Sequence, residues 1–391
     1  MRIAFYAPMK APDAPTPSGD RRMARLLMEA LRIGGHEVEL ASRFRSWSAD
    51  PAGHAALREM SDAETARLLR GYAAAGEDIE TRPELWFTYH LYYKAPDWIG
   101  PAVADALGIP YIVAEASHAP KRAAGPWAAS HAAAEAAIRR ASAICAINPA
   151  DSACLAPLLD DVTRLQALPP FLDTAPFAGP STGPFTVDGA SAVAALRRET
   201  GFSGAFPIAL TVAMMRPGDK RESYRVLAAA LRQAVDDGRR IDLAIIGGGN
   251  AQPDIVDDFA GLPEGSVCFL GARPGAELPG LLAGGDLYLW PAIREAYGMA
   301  MLEAQAAGLP VIAGDSGGVS AIVRQGETGL LAPEGDVSAF AAAISALARD
   351  AERRQKMGRA AVERVARDHT LASAAGQLNV IINDVIQRRV A

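Results

Sequence analysis

The chain is poor in cysteine: Cys145, Cys154 and Cys268 are the only three in 391 residues. Their spacing is not that of a metal site, so they read as reduced, small apolar residues of a cytosolic protein. Cys145 and Cys154 are near in sequence, yet a functional pair is the weaker reading. No apolar run approaches the length of a bilayer span. The first run, Ile3–Tyr6, is too short for the apolar region of a signal peptide. The expectation is a cytoplasmic protein. An excess of positive charge is also missing. The net charge is −6, which gives no global affinity for nucleic acid or anionic lipid. Any phosphate site must then be local. No His/Cys set has zinc spacing. A Gly-x-Ser-x-Gly elbow and a Gly-x-x-x-x-Gly-Lys phosphate loop are absent, and no Gly-x-Gly-x-x-Gly follows the first run. The last absence disfavours a simple Rossmann oxidoreductase.

What is present is a regular alternation of short apolar runs and longer helical stretches. The runs of the first half are Ile3–Tyr6, Val38–Ala41, Leu85–Thr88, Tyr111–Ala114 and Ala143–Ile147. Those of the second half are Ile208–Val212, Leu243–Ile246, Val267–Leu270, Leu287–Trp290 and Val311–Ala313. Many are unbroken apolar segments, as in parallel strands covered on both faces. Alternation with helices makes an α/β layered fold. Between the halves lies Leu168–Gly204, with Pro169-Pro170, Pro176, Pro180 and Gly183-Pro184, the composition of a connector. The expected organisation is two doubly wound, Rossmann-like domains facing a cleft. The bounds are residues 1–175 and 205–370, with a linker at 176–204 and a last helix at 371–391. The Ala-rich segment Ala128–Ala137 reads as a packed helix, because alanine is the best helix former.

The most informative stretch is Arg294-Glu295-Ala296-Tyr297-Gly298-Met299-Ala300-Met301-Leu302-Glu303, which runs on to Gly308, Pro310 and Val311. Two glutamates flank seven residues. The first follows an apolar run, and the second sits in a short helix that Gly308 and Pro310 stop. Loop amides beside a helix N-terminus bind anions, and neighbouring carboxylates accept hydrogen bonds from hydroxyls. A phosphate next to a polyol is a nucleotide-sugar. A second element, Met214-Met215-Arg216-Pro217-Gly218-Asp219-Lys220, precedes a helix of about a dozen residues. A basic pair at a helix start opposes the helix dipole, unless an anion is its partner.

The glutamate stretch resembles the donor-binding motif of the retaining glycosyltransferases of family four (glycosyl transferases group 1), which have the two-domain GT-B fold. The resemblance is strong there and extends more weakly over nearly the whole chain. It implies that Glu295 accepts hydrogen bonds from the hydroxyls of the donor sugar. The backbone around Tyr297, Gly298 and Met299 would hold the sugar and distal phosphate, and Glu303 the ribose. Arg216 and Lys220 would clamp the diphosphate and meet the charge that bond cleavage leaves on it. Gly247, Gly248 and Gly249 would line the nucleotide site. Two positions depart from the family pattern, with Met215 before Arg216 and Arg221 after Lys220 where glycine is usual. Ala321 stands where the family often has a glutamate.

For the first domain the resemblance implies a turn at Pro17-Ser18-Gly19-Asp20 whose amides approach the donor phosphate, with Gly19 as its glycine. Ser18 or Asp20 is equally readable as a helix N-cap. His118, just past the run Tyr111–Ala114, would contact the transferred sugar and join the catalytic set. His90 is a second candidate, and Ser18, His90 and Tyr92 are the acceptor candidates. Tyr89, Tyr92, Tyr93 and Trp98 suit either sugar stacking or plain packing. The last helix, with Leu378, Ile381, Ile382, Val385 and Ile386 at helical spacing, would cross back to the first domain.

The expected function is therefore metal-independent transfer of a sugar from a nucleoside-diphosphate sugar to a hydroxyl acceptor, with retention. No cofactor or metal is expected, because no Asp-x-Asp signature is present. The acceptor is a glycan, a lipid or a small metabolite; a lipid acceptor would imply peripheral membrane contact. A GT-B phosphorylase, a nucleotide-sugar epimerase and a non-catalytic nucleotide-sugar-binding partner subunit remain as alternatives. Neither the sugar, the base nor the acceptor is named by the sequence.

Overall fold

The computed structural model describes residues 1–16, 18–74, 82–177 and 189–390. Pro17 of the predicted turn, and Pro180 and Gly183-Pro184 of the predicted linker, lie outside the described residues. The chain divides into two compact units. One holds Met1–Pro169 and Leu371–Ala391, and the other Pro170–Thr370.

The first unit contains β1 (Arg2–Tyr6), β2 (Glu37–Ser42), β3 (Leu85–Leu91), β4 (Tyr111–Ala116), β5 (Ala143–Ala146) and β6 (Leu165–Ala167). They form one sheet in the order β2-β1-β3-β4-β5-β6, and every recorded pair is parallel. Its inner strands are buried nearly throughout, with Phe5, Trp86, Phe87, Ile112 and Ile144 at 0% exposure. The order reverses between β1 and β3, where the carboxyl ends of such strands leave a crevice for ligands.

The second unit contains β7 (Ile208–Val212), β8 (Asp242–Ile246), β9 (Val267–Gly271), β10 (Leu287–Trp290), β11 (Val311–Asp315) and β12 (Gly329–Pro333). Their order is β12-β11-β10-β7-β8-β9, again all parallel. This is the Rossmann order, with its reversal between β7 and β10. The two elements singled out by sequence, Met214–Lys220 and Arg294–Glu303, follow these two strands.

Two boundaries differ from the sequence expectation. The first unit ends at Pro169 rather than at residue 175. Within the predicted linker, Gly189–Thr200 is a helix of the second unit. Burial explains it, because Ala192, Leu196 and Phe202 are apolar and join the core. At its far end the second unit closes on itself. His369 Nδ1 lies 2.6 Å from the Pro170 carbonyl, and Leu172 bridges Thr370.

The last helix, Leu371–Val390, belongs to the first unit. It packs on the helix Gly19–Ile33, with Leu378, Ile381, Ile382 and Val385 buried. Asn379 fixes the register. Its Nδ2 donates to the Gly34 carbonyl at 3.0 Å, and its Oδ1 lies 2.7 Å from His36 Nε2. Among the described residues no helix is long and apolar enough to cross a membrane.

Candidate functional site

In the second unit the chemistry gathers where β7 and β10 end. The β7 loop turns into the helix Asp219–Asp236, and Lys220 stands in its first turn. Lys220 Nζ donates to Glu295 Oε2 at 2.5 Å. The same oxygen accepts the indole N–H of Trp290 at 3.0 Å. Lys220 Nζ also sits 5.2 Å above the Trp290 ring, and Tyr224 packs edge-on against that ring. Glu295 Oε1 takes no hydrogen bond among the described residues, so one carboxylate oxygen is fixed and the other is left for a hydroxyl donor.

Arg216 is placed differently. It is exposed, and its side chain forms no hydrogen bond or ion pair among the described residues. Met215 beside it is fully buried in the core. Met215 thus acts as a hydrophobic anchor that pins the loop. Arg221 turns away, toward Asp254 at 3.2 Å and Asp258 at 3.8 Å.

The three glycines after β8 hold the β7 loop at close range. A Cβ on Gly247 would stand 1.9 Å from the Ala213 carbonyl oxygen, and one on Gly249 2.2 Å from that of Met215. Met215 N–H donates to the Gly248 carbonyl at 3.0 Å, and Ala251 N–H to that of Met215 at 3.0 Å. Backbone approach of this kind requires glycine.

The β10 loop is clamped just as firmly. Ser223 Oγ accepts the Ile293 N–H at 3.0 Å, and Arg294 Nε donates to Asp219 at 2.7 Å. Gly318 N–H donates to the Ala296 carbonyl at 2.6 Å. A Cβ on Gly317 (φ +54°) would come within 2.1 Å of the Glu295 carbonyl oxygen. Ala292 (φ +56°) and Arg294 (φ +47°) take the left-handed region that favours glycine. Gly298 (φ +70°) opens the helix Met299–Ala306, and no side chain caps its first turn. Tyr297 and Met299 are partly buried there. Glu303 is 4% exposed and already engaged within the protein.

In the first unit a second polar cluster lies at the ends of β1 and β3. His90 Nδ1 is 3.0 Å from Asp20 Oδ1 and 3.9 Å from Glu115 Oε1. Burial pushes the imidazole down, but the carboxylates of Glu115, Asp20 and Asp151 outweigh it and raise its pKa. Burial works upward on Asp20, and the contact with His90 outweighs it to leave that carboxyl below its usual range. Asp20 follows Ser18, which caps the helix Gly19–Ile33 by accepting the Arg21 N–H at 3.2 Å. Gly19 has open space about its Cβ position. Tyr92 lies 5.3 Å from His90, and its hydroxyl accepts the Trp47 indole N–H at 3.0 Å. Tyr93 packs edge-on against both Tyr92 and Trp127.

His118 is not in this cluster. It lies 3.4 Å from Glu135 Oε2, with its ring 4.7 Å from that of His131. Sequence reading missed His131 and Glu135, although their spacing on a helix was visible. It also missed the partnership of Asp20 with His90, which only the fold creates.

Residues 206–350 match the model of the family described as glycosyl transferases group 1. The D-inositol 3-phosphate glycosyltransferase of Nocardia farcinica is 37% identical over 180 residues, 44% of this chain and 40% of that one. The chain thus covers less than half the length of such curated relatives. The structure of HepE from Anabaena in complex with UDP is 18% identical. It covers 98% of this chain and 100% of that one, with a TM-score of 0.70. A sucrose-phosphate synthase from Thermosynechococcus elongatus is 20% identical over 99% of each chain, with a TM-score of 0.70. At these identities the two structures speak for the fold, which is GT-B.

Proposed function

We infer, for a chain whose residues 206–350 form a domain of the glycosyl transferases group 1 family, the transfer of a sugar from a nucleoside-diphosphate sugar to a hydroxyl acceptor. The observation that carries this reading is the pair Lys220–Glu295 at the switch point of the second sheet, 2.5 Å apart, beside an uncommitted Arg216. Cleavage of the anomeric bond leaves charge on the diphosphate. Arg216 and Lys220 meet that charge as it develops, and fixed cations at that point lower the barrier. The free oxygen of Glu295 accepts a sugar hydroxyl. The uncapped first turn at Gly298 presents backbone dipoles to the phosphate. Glu303 serves the ribose hydroxyls.

Retention follows in this reading from same-face attack. The acceptor hydroxyl passes its proton to the leaving phosphate oxygen as the new bond forms, so no separate base is required. Arg216 and Lys220 supply the charge that a metal at the diphosphate supplies elsewhere. In the first unit His90, held by Asp20, stands at the β1/β3 switch point, where such sheets bind ligands, and it replaces His118 as the sugar-facing histidine of this reading. The donor base is proposed as uracil on the strength of HepE, which was solved with UDP. The relatives act on an inositol phosphate, which favours a polyol acceptor here.

The test is calorimetric titration with UDP, GDP and ADP, followed by NMR of the sugar released from the matching nucleotide-sugar. Binding of one nucleotide and initial release of the α-anomer from an α-linked donor are expected, with no stimulation by magnesium or manganese. Release of the β-anomer would overturn retention. No binding of any nucleotide would overturn the donor site, and binding without sugar release or transfer would turn the reading toward a non-catalytic partner subunit.

A further inference from the structure

We propose that His118, His131 and Glu135 of the first unit form a binding site for one divalent transition-metal ion, with zinc the best match. The proposal is independent of the glycosyl-transfer reading. His131 and Glu135 are four residues apart on the helix Ala128–Arg140 and so share one face. His118 comes from the loop after β4 and meets that face. One nitrogen of each histidine and one carboxylate oxygen all lie within 4.8 Å of one another, the one such trio among the described residues. The donor set of two imidazoles and a carboxylate suits zinc or cobalt, whereas magnesium and calcium take oxygen ligands.

A second observation points to a ligand independently. His118 Nδ1 and His131 Nε2 are buried and have no hydrogen-bond partner among the described residues. His131 is 3% exposed and the His118 side chain 8%. A buried polar nitrogen left unpaired is costly, and the one on His131, whose ring lies against that of His118, calls for a partner. An ion supplies it.

The surroundings fit. Arg139 Nε donates to Glu135 Oε1 at 2.9 Å, and Arg139 is itself tied to the Leu158 carbonyl at 2.7 Å. That contact leaves Oε2 facing the histidines, as an outer partner of a metal ligand does. It also holds the Glu135 carboxyl below its ordinary range. Burial, then the neighbouring His131, holds His118 below its own. Carboxylate and neutral imidazole are the forms that bind a metal. Ligand atoms around tetrahedral zinc sit roughly 3.3 Å apart. His118 Nε2 and Glu135 Oε2, 3.4 Å apart, already stand close to that spacing. Three protein ligands leave a fourth position for water or a small ligand. The ion ties the loop after β4 to the helix Ala128–Arg140.

The test uses the full chain without a histidine tag, stripped with a chelator and titrated with cobalt(II). One cobalt per chain, with the strong visible absorption of four-coordinate cobalt that zinc abolishes, is expected. His131→Gln and Glu135→Gln should each weaken binding at least tenfold. Circular dichroism checks the fold, and if His131→Gln does not fold, Glu135→Gln decides alone. No stoichiometric cobalt in the parent protein overturns the proposal. Equal binding by the parent and the folded variants does so too.

Discussion

In the proposed reaction Arg216 and Lys220 carry the same charge toward the same leaving group, yet the fold uses them differently, and this separates chemistry from stability. Arg216 is exposed and has no ionic partner among the described residues. Arg216→Ala should change stability by no more than about 0.5 kcal/mol. In a unit of this size that is a melting shift of roughly 1–2 °C. Removing a preorganised charge from the transition state costs about 2.7–4 kcal/mol, a fall of roughly 10²–10³ in kcat. Lys220 is 31% exposed, bound to Glu295 and lying over Trp290. Lys220→Ala should lose a comparable factor in turnover. It should also lose about 1–2 kcal/mol of stability, combining a partly exposed ion pair with a cation–π contact. The corresponding melting shift is roughly 2–8 °C. Scanning calorimetry and initial rates on the matching nucleotide-sugar read both quantities. Near-parental turnover of Arg216→Ala refutes the charge argument. A melting temperature unchanged in Lys220→Ala refutes the claim that its pair with Glu295 holds the loop.

Three further outcomes are expected. Gly317→Ala puts a Cβ 2.1 Å from the Glu295 carbonyl oxygen at φ +54°; it should displace Glu295 and abolish turnover, and a crystal structure or rates showing no effect would refute this. Burial lowers the His90 pKa, but Glu115, Asp20 and Asp151 raise it further, while Asp20 is lowered. The pair therefore stabilises the fold above the ordinary carboxylate range near pH 4, and its contribution fades as pH rises through the elevated His90 value. An imidazole NMR titration should give a midpoint above about 6.5, brought down by Asp20→Asn; a midpoint below that in the parent protein contradicts the geometry. Ala292→Val adds a β-branched side chain at a buried, left-handed position and should cost about 2–4 kcal/mol by denaturant unfolding, against little change for Ala292→Gly.

What could be read in the sequence follows from where each residue stands. The inner strands are continuous apolar runs because helices cover both faces, and those runs were legible. β6 and β12 were not. Each is an outer strand of its sheet; Leu165-Gln166-Ala167 is short and half-exposed, and Gly329–Pro333 is bounded by glycine and proline. The periodicity of the helix Gly189–Thr200 was legible from about Ser191, but its proline-rich approach assigned it to the linker, although Leu196 and Phe202 give it a core face. Glu295, Lys220 and Arg216 were visible because their motifs are local. Asp20 with His90, and His118 with His131 and Glu135, are pairings of separate segments. Nothing local in the sequence encodes them.

Backbone strain picks out the same places without reference to any motif. Among the described residues, the non-glycine positions with positive φ are His90, Glu115, Ala292 and Arg294. Such conformations cost on the order of 1–3 kcal/mol each and persist only where the surroundings enforce them. Ala292 and Arg294 follow β10 and carry Glu295 between them and Gly298. His90 and Glu115 close β3 and β4, with Asp20 facing His90 from the helix after β1. Glycine at any of the four would relieve the strain, but it would remove the His90 imidazole, the Glu115 carboxylate or the Arg294 clamp on Asp219. At three of the four, then, the side chain is the reason the strain is retained. At Ala292 no such side chain exists, and what is retained is the stiffness of the loop that aims Glu295.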